Sequence, residues 1–159
     1  NVPPDVTRVT NRYMTVADAA NFAEFDVYYV GDNYSGLPLF GITYSEATGP
    51  GYVDSYAPGQ ASLKSFSVVY ADPFIPGKPR RVDQLSLVQV PVSQHRAREA
   101  APGVAAVGEP VQVNGRDATL YERGDGVDLE VQIGTTVITI HGRDRQDVLQ
   151  AASALQRLN

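Results

Sequence analysis

The sequence predicts an α+β fold: a curved antiparallel sheet, with a C-terminal meander of about four strands covered on one face by a C-terminal helix. Turn chemistry points there first, because Asn114-Gly115, Asp125-Gly126 and Gly134-Thr135 follow one another between Val113 and Gly142. Such pairs suit the two-residue loops of β-hairpins. The residues between them alternate apolar and polar, the period of a half-buried strand. Finally, "DRQDVLQAASALQRL" has helical period, with Val148, Ala152 and Leu155 on one stripe and Leu149 and Leu158 beside it.

Composition sets the frame for the elements. A chain of 159 residues is long enough for one domain with a core and short for two. The expected organisation is a linker or flexible segment over 1–14, which holds two prolines, followed by a single globular α+β domain over 15–159. A net charge of -5 argues against binding a phosphate backbone or an anionic membrane surface through basic residues. The absence of cysteine excludes disulfides, thiolate nucleophiles and Cys-ligated zinc. No apolar run approaches the ~18 residues that span a bilayer, so any membrane tether is expected upstream of residue 1.

Taken in order, Thr15 reads as an N-cap, with Asp18 in the first turn and Val16, Ala19, Ala20 and Phe22 as a short apolar stripe. That predicts a helix over about 15–23. "FDVYYV" over 25–30 reads as a strand, "GDNYSG" as a turn, and "LPLFGITY" as a strand whose Pro38 indicates an edge or a bulge. Residues 45–60 read as a Gly/Pro/Ser/Tyr loop. Strands follow over 65–71 and 83–91, separated by the proline-broken "DPFIPGKPRR", and "SQHRAREAAPG" suits two helical turns stopped by Pro102.

If each C-terminal turn has two residues, Val111 faces Ala118, Leu120 faces Val131, Val131 faces Ile138 and Leu129 faces Ile140. The aliphatics then share one face, although the Asp-Gly hairpin keeps its alternation if slipped by two residues. In the closing helix, Asp144 is the expected N-cap and the helix runs for about 14 residues over the aliphatic face.

The opposite face carries Gln112, Asp117, Thr119, Tyr121, Arg123, Asp128, Glu130, Gln132, Thr139 and His141. The register sets Asp128 directly across from His141. A carboxylate beside an imidazole fixes the ring and favours its charged form, which is half of a catalytic or metal-binding arrangement. The plainer expectation is a cross-strand ion pair on a wet surface. Asp125, Asp128 and Glu130 lack EF-hand spacing, so no metal and no cofactor is expected. Glu122, Asp128 and Glu130 are candidate glycosidase carboxylates that nothing separates from surface acids. Ser93 and His95 stand at a spacing that matches no nucleophile–base motif, and no Gly-rich phosphate loop follows a strand. Tyrosine is the enriched residue, with nine copies and no Trp. Because tyrosine gives apolar area and a hydroxyl at low entropic cost, Tyr34, Tyr44, Tyr52, Tyr56 and Tyr121 are the candidate ligand-binding residues. The plainer account has tyrosines plugging a curved sheet.

The stretch "VQVNGRDATLYERGDGVDLEVQIGTTVITIHGRDRQDVLQAASAL" resembles a bacterial extracytoplasmic domain family of unknown function, found in lipoproteins and anti-sigma-factor-like membrane proteins. The resemblance rests on Val113-Asn114-Gly115, Leu120-Tyr121, the strands Leu129 to Ile133 and Ile138 to Gly142, and Ala152 to Leu155. "ADAANFAEFDVYYV" and "LSLVQ" are similar to the family's first helix-strand and middle strand. The chain departs from the family at Leu129, where a tryptophan is usual, and over 45–62. What the resemblance implies is a place outside the cytoplasmic membrane, tethered upstream, and a non-enzymatic binding or sensory role. The partner would be an envelope protein, an envelope component or a small apolar ligand, with no nucleic acid. Two other readings stand beside it: a hydrolase using Asp128, Glu130 and His141, and a spacer that only holds something off the membrane.

Overall fold

The structure, a computed structural model, describes residues 8–49, 62–72, 76–77, 84–95 and 108–159. The strands are β1 (Arg8–Met14), β2 (Tyr28–Tyr29), β3 (Asn33–Tyr34), β4 (Leu37–Thr48), β5 (Leu63–Ala71) and β6 (Gln84–Pro91) in the first half. The second half holds β7 (Glu109–Val113), β8 (Arg116–Arg123), β9 (Gly126–Ile133), β10 (Thr136–Gly142) and β11 (Gln156–Arg157). The helices are α1 (Val16–Ala20) and α2 (Arg145–Ser153). Nine strands form one sheet in the order β1-β4-β5-β6-β10-β9-β8-β7, with β3 beside β4, while β11 and β2 pair separately. Every pairing is antiparallel.

The expected sheet-dominated α+β class is therefore what the chain adopts. The C-terminal meander of four strands is β7 to β10, but it is only half of the sheet. A second meander of β1, β4, β5 and β6 joins it through β6 and β10. Short turns announce the C-terminal half, whereas the N-terminal strands find partners across long connections that leave no dipeptide signal.

Several local expectations are corrected. Arg8–Met14, placed in the N-terminal linker, form edge strand β1 along β4. Nearly all of its residues are exposed, so no inward apolar alternation marks it as a strand. Strand β4 runs on through Thr48, into the expected loop, with a bulge between Leu39 and Gly41 that turns Phe40 outward. The strand expected over 25–30 shrinks to Tyr28–Tyr29. The expected C-terminal helix stops at Ala154, because Gln156 and Arg157 leave it to pair with Tyr29 and Tyr28. Val92–Gln94 form a single 3-10 turn, and residues 96–107, which hold the rest of the expected helical turns, lie outside the described residues. The capping expectations hold: Thr15 and Asp18 form a reciprocal capping box, and the Asp144 side chain accepts from the Asp147 amide at 2.9 Å.

Alternation divides the sheet into two faces. The inner face carries Ile42, Phe66, Val68, Leu85, Leu87, Leu120, Leu129, Val131, Ile138 and Ile140, all buried. Helix α2 covers the β9–β10 part of it with Val148, Ala151 and Ala152. The rest lies under residues 22–34, a largely irregular cover that buries Phe22, Val27, Val30 and Tyr34.

Apart from the two-residue pairing of β2 with β11, this cover must satisfy its buried backbone without a ladder. Four side chains do this. Gln89 accepts from the Tyr28 amide and donates to the Tyr28 carbonyl, both at 2.7 Å. The Tyr70 hydroxyl accepts from Val30 N at 3.0 Å and donates to Gly31 O at 2.7 Å. Thr136 Oγ1 donates to Asp26 O, and Asn159 holds Phe22 O, Phe25 O and Val27 N. Tyr34 fastens the cover to α2 by donating to Asp147 O at 2.9 Å.

Burial raises the Tyr70 and Tyr34 hydroxyls from 10.0 to about 12, with the carboxylate of Asp147 adding to the effect at Tyr34. A phenol whose folded pKa exceeds its unfolded value stabilises the fold fully below pH 10 and loses that contribution as pH rises to 12. Stability should thus fall between pH 10 and 12, by roughly 3 kcal/mol for each group. Urea unfolding of the wild type and Tyr70→Phe across that range checks this, since the variant should show a shallower slope.

Candidate functional site

Tyr121 and Arg123 of β8, Asp128 and Glu130 of β9 and His141 of β10 stand on the outer face, away from α2 and the cover. Cross-strand register sets Val69, Ser86, His141, Asp128 and Tyr121 side by side in one row. The expected pairing of Asp128 with His141 is present, with His141 Nδ1 2.6 Å from Asp128 Oδ1. Arg123 Nη1 donates to Asp128 Oδ2 at 3.1 Å. This bond raises the Arg123 guanidinium further above its already high pKa, helped by the nearby charges of Asp128 and Asp125.

Asp128 departs from the expectation of a wet face. It is 1% exposed, whereas the side chains of His141 and Arg123 are 32% and 49% exposed. A buried carboxylate needs partners, and the Arg123 guanidinium and the His141 ring of the same chain supply them. Alternation could place Asp128 on the outer face but not reveal how deeply its neighbours cover it.

Two residues along β9, on the same face, Glu130 Oε1 lies 3.0 Å from His95 Nε2. Sequence reasoning weighed these two separately and missed the pair. Val92 N donates to Thr135 O at 2.8 Å, and the turn that follows carries His95 back over the sheet. Pro91 ending the strand was the available signal.

The three candidate tyrosines among the described residues do not gather. Tyr34 and Tyr44 are 5% and 8% exposed and belong to the inner face. Tyr44 packs against Phe22 at 5.0 Å between ring centroids and donates to Glu46 Oε2 at 3.2 Å. Burial, with the charges of Glu46 and Glu24, raises its hydroxyl pKa strongly. Tyr121 stands alone of the three on the outer face, beside Asp128, while Tyr52 and Tyr56 lie outside the described residues.

Two chemistries are open to this arrangement. With Asp128 holding Nδ1, the His141 ring is fixed in orientation and its Cε1–Nε2 edge lies over Gly126, where an added Cβ would stand 3.0 Å from Cε1 and 3.3 Å from Nε2. That edge is available to a ligand or a proton. Ser86 stands across the strand from His141, the lateral order of a serine nucleophile, base and acid. Among the described residues no group of three or more His, Asp or Glu is placed to hold a metal ion. No described helix is long and apolar enough to cross a membrane.

Replacing Asp128 with Asn should cost about 2 kcal/mol, less than the ~3–5 kcal/mol for breaking a fully buried ion pair, because both partners reach solvent. Urea midpoints measure it, and a loss below ~0.5 kcal/mol would mark the trio as an ordinary surface pair.

No protein-family model matches the chain, nor does any curated protein or solved structure.

Proposed function

We propose that this chain is a non-enzymatic binding domain, working on the outer side of the cytoplasmic membrane, that takes a protein partner on the outer face of its sheet. One observation carries the binding role: Asp128 and Glu130 on that face are already held by side chains of the same chain. Asp128 is held by His141 and Arg123, and Glu130 by His95. An acid or base catalyst needs a proton to exchange with substrate, whereas these carboxylates are engaged within the chain and make a fixed patch. It presents His141, Arg123 and Tyr121 as fixed polar contacts near Val88 and Val92, which are 42% and 38% exposed. Aromatic and Arg anchors beside apolar area are the composition of a protein interface.

Among the partner classes, a small apolar ligand held inside is the least supported. The inner-face positions of Tyr34 and Tyr44 are filled by their own rings. The location outside the membrane, with an upstream tether, rests on the family resemblance of the C-terminal meander and helix.

A photoreactive amino acid placed at Val88, in cells that make the protein, tests the reading. A discrete protein adduct that disappears when Tyr121→Ala is added supports it. No adduct at Val88, or equal labelling from Gln150 on the exposed side of α2, overturns it.

A hydrolase is the second reading, favoured by the lateral order Ser86, His141, Asp128 and the 2.6 Å bond within it. Turnover of activated esters that vanishes in each of Ser86→Ala, His141→Ala and Asp128→Asn would establish it. Glu130, the third residue of the hydrolase reading, is paired to His95 and is not needed for that chemistry.

A further inference from the structure

The two edges of the large sheet are built differently. At one edge β7 has five residues, carries Pro110, which has no N–H to offer, and is bound to α2 by the Arg145–Glu109 ion pair. These are devices that blunt an edge. At the other edge β1 has seven residues and no proline, and among the described residues it pairs only with β4. Two of its outer-face side chains, Val9 and Tyr13, are 61% and 79% exposed.

From this unguarded edge we infer that the chain forms a symmetric dimer by antiparallel pairing of β1 with β1 of a second copy. The sequence of the strand, "RVTNRYM", selects both the partner and the register. In an antiparallel pair, opposite residues share a face, so the two-fold axis passes through a residue position. An axis at Thr10 sets Arg8 opposite Arg12, and an axis at Arg12 sets that arginine opposite itself. Like charges directly opposite are destabilising. An axis at Asn11 pairs all seven residues and removes both clashes, because Arg8 then faces Met14 and Arg12 faces Thr10.

The same register sets Val9 of each copy opposite Tyr13 of the other. Aromatic and β-branched residues make favourable cross-strand pairs, and the two most exposed large apolar residues among those described are thus covered together, twice per dimer. The arginines are also balanced within each copy. Glu46 lies across from Thr10, between them, and Arg12 stacks over the Tyr44 ring at 5.6 Å from its centroid. The dimer would join two sheets edge to edge and extend the outer face across the axis. It stands independently of the binding reading above.

The chain has no cysteine, so an introduced one reports only on itself. On oxidation, Asn11→Cys should give a single disulfide-linked dimer, while Gln132→Cys, exposed on β9, should stay monomeric. In sedimentation velocity the wild type should move from monomer toward dimer mass as concentration rises. The double variant Val9→Lys and Tyr13→Lys should remain monomeric, since its lysines face each other across the axis. Val9→Lys with Tyr13→Glu should keep the dimer, because each new lysine then faces a new glutamate. Both positions are exposed, and circular dichroism checks that the fold is kept. A wild type that is monomeric at every concentration overturns the proposal, as does a dimer that survives in the double-lysine variant.

Discussion

Gln89→Met should lower stability by about 4 kcal/mol, a large share of the 5–15 kcal/mol typical of a domain. Gln89 is 0% exposed and its amide makes two 2.7 Å bonds with one backbone unit, that of Tyr28. Methionine fills nearly the same space without either hydrogen-bonding group. The N–H and C=O of Tyr28 are then left buried and unpaired, at about 1–3 kcal/mol each. Neither can turn to water without lifting residues 26–30, and that segment is pinned on both sides by Thr136 on Asp26 and Tyr70 on Val30 and Gly31. Urea unfolding should show a lower midpoint with an unchanged slope, and the Tyr28 amide should exchange far faster in deuterated water. A loss under ~1 kcal/mol would mean that the cover opens on its own and that Gln89 is not its clamp.

How Gln89 escapes notice separates what the sequence makes legible from what it does not. In "LSLVQV" it occupies the alternate position after Leu85 and Leu87, so the pattern does place it on the core face. Its partner is not legible, because Tyr28 lies 61 residues away in a segment whose regular structure is a two-residue strand. The same division runs through the fold. Val111 with Ala118, Val131 with Ile138, Leu129 with Ile140 and Asp128 with His141 stand as the local turns predict. The joining of β6 to β10, which creates the lateral row with Ser86, depends on contacts that no turn encodes. On the outer face the identity of the Asp128–His141 pair was legible through register. The burial of Asp128 and the reach of Arg123 and His95 were not, since each depends on how side chains fold over the surface. The tyrosine enrichment did not say which face the rings take, for a related reason. A tyrosine is as suited to a core that offers its hydroxyl a backbone partner, as Tyr34 and Tyr70 find, as to an interface.

Gly126→Ala should cost about 3 kcal/mol and disturb the His141–Asp128 pair, although glycine there is not in the turn the sequence suggests. Arg123 pairs with Gly126, so the two loop residues are Gly124 and Asp125, and Leu120 faces Leu129 in place of Val131. The shift of two residues leaves every side chain on its expected face, which is why alternation could not detect it. Gly126 instead begins β9 at φ +153, and a Cβ there would overlap the Gly142 carbonyl oxygen of the neighbouring strand. It would also crowd the His141 ring edge, 3.0 Å away at Cε1. Backbone strain contributes about 1–2 kcal/mol, and the β9–β10 ladder or the ring must yield for the rest. Gly115→Ala supplies the comparison, because its φ of +76 carries strain but nothing lies within 4 Å of the added methyl. That variant should lose only about 1 kcal/mol. Urea midpoints rank the two, and nitrogen chemical shifts of His141 report its bond to Asp128, which should change in Gly126→Ala alone. Equal losses in both variants would mean that strain explains everything and that the His141 ring has room to move. A larger loss at Gly126 with a displaced ring would mean that the close approach of β9 to β10 is what holds the outer-face histidine in its one orientation.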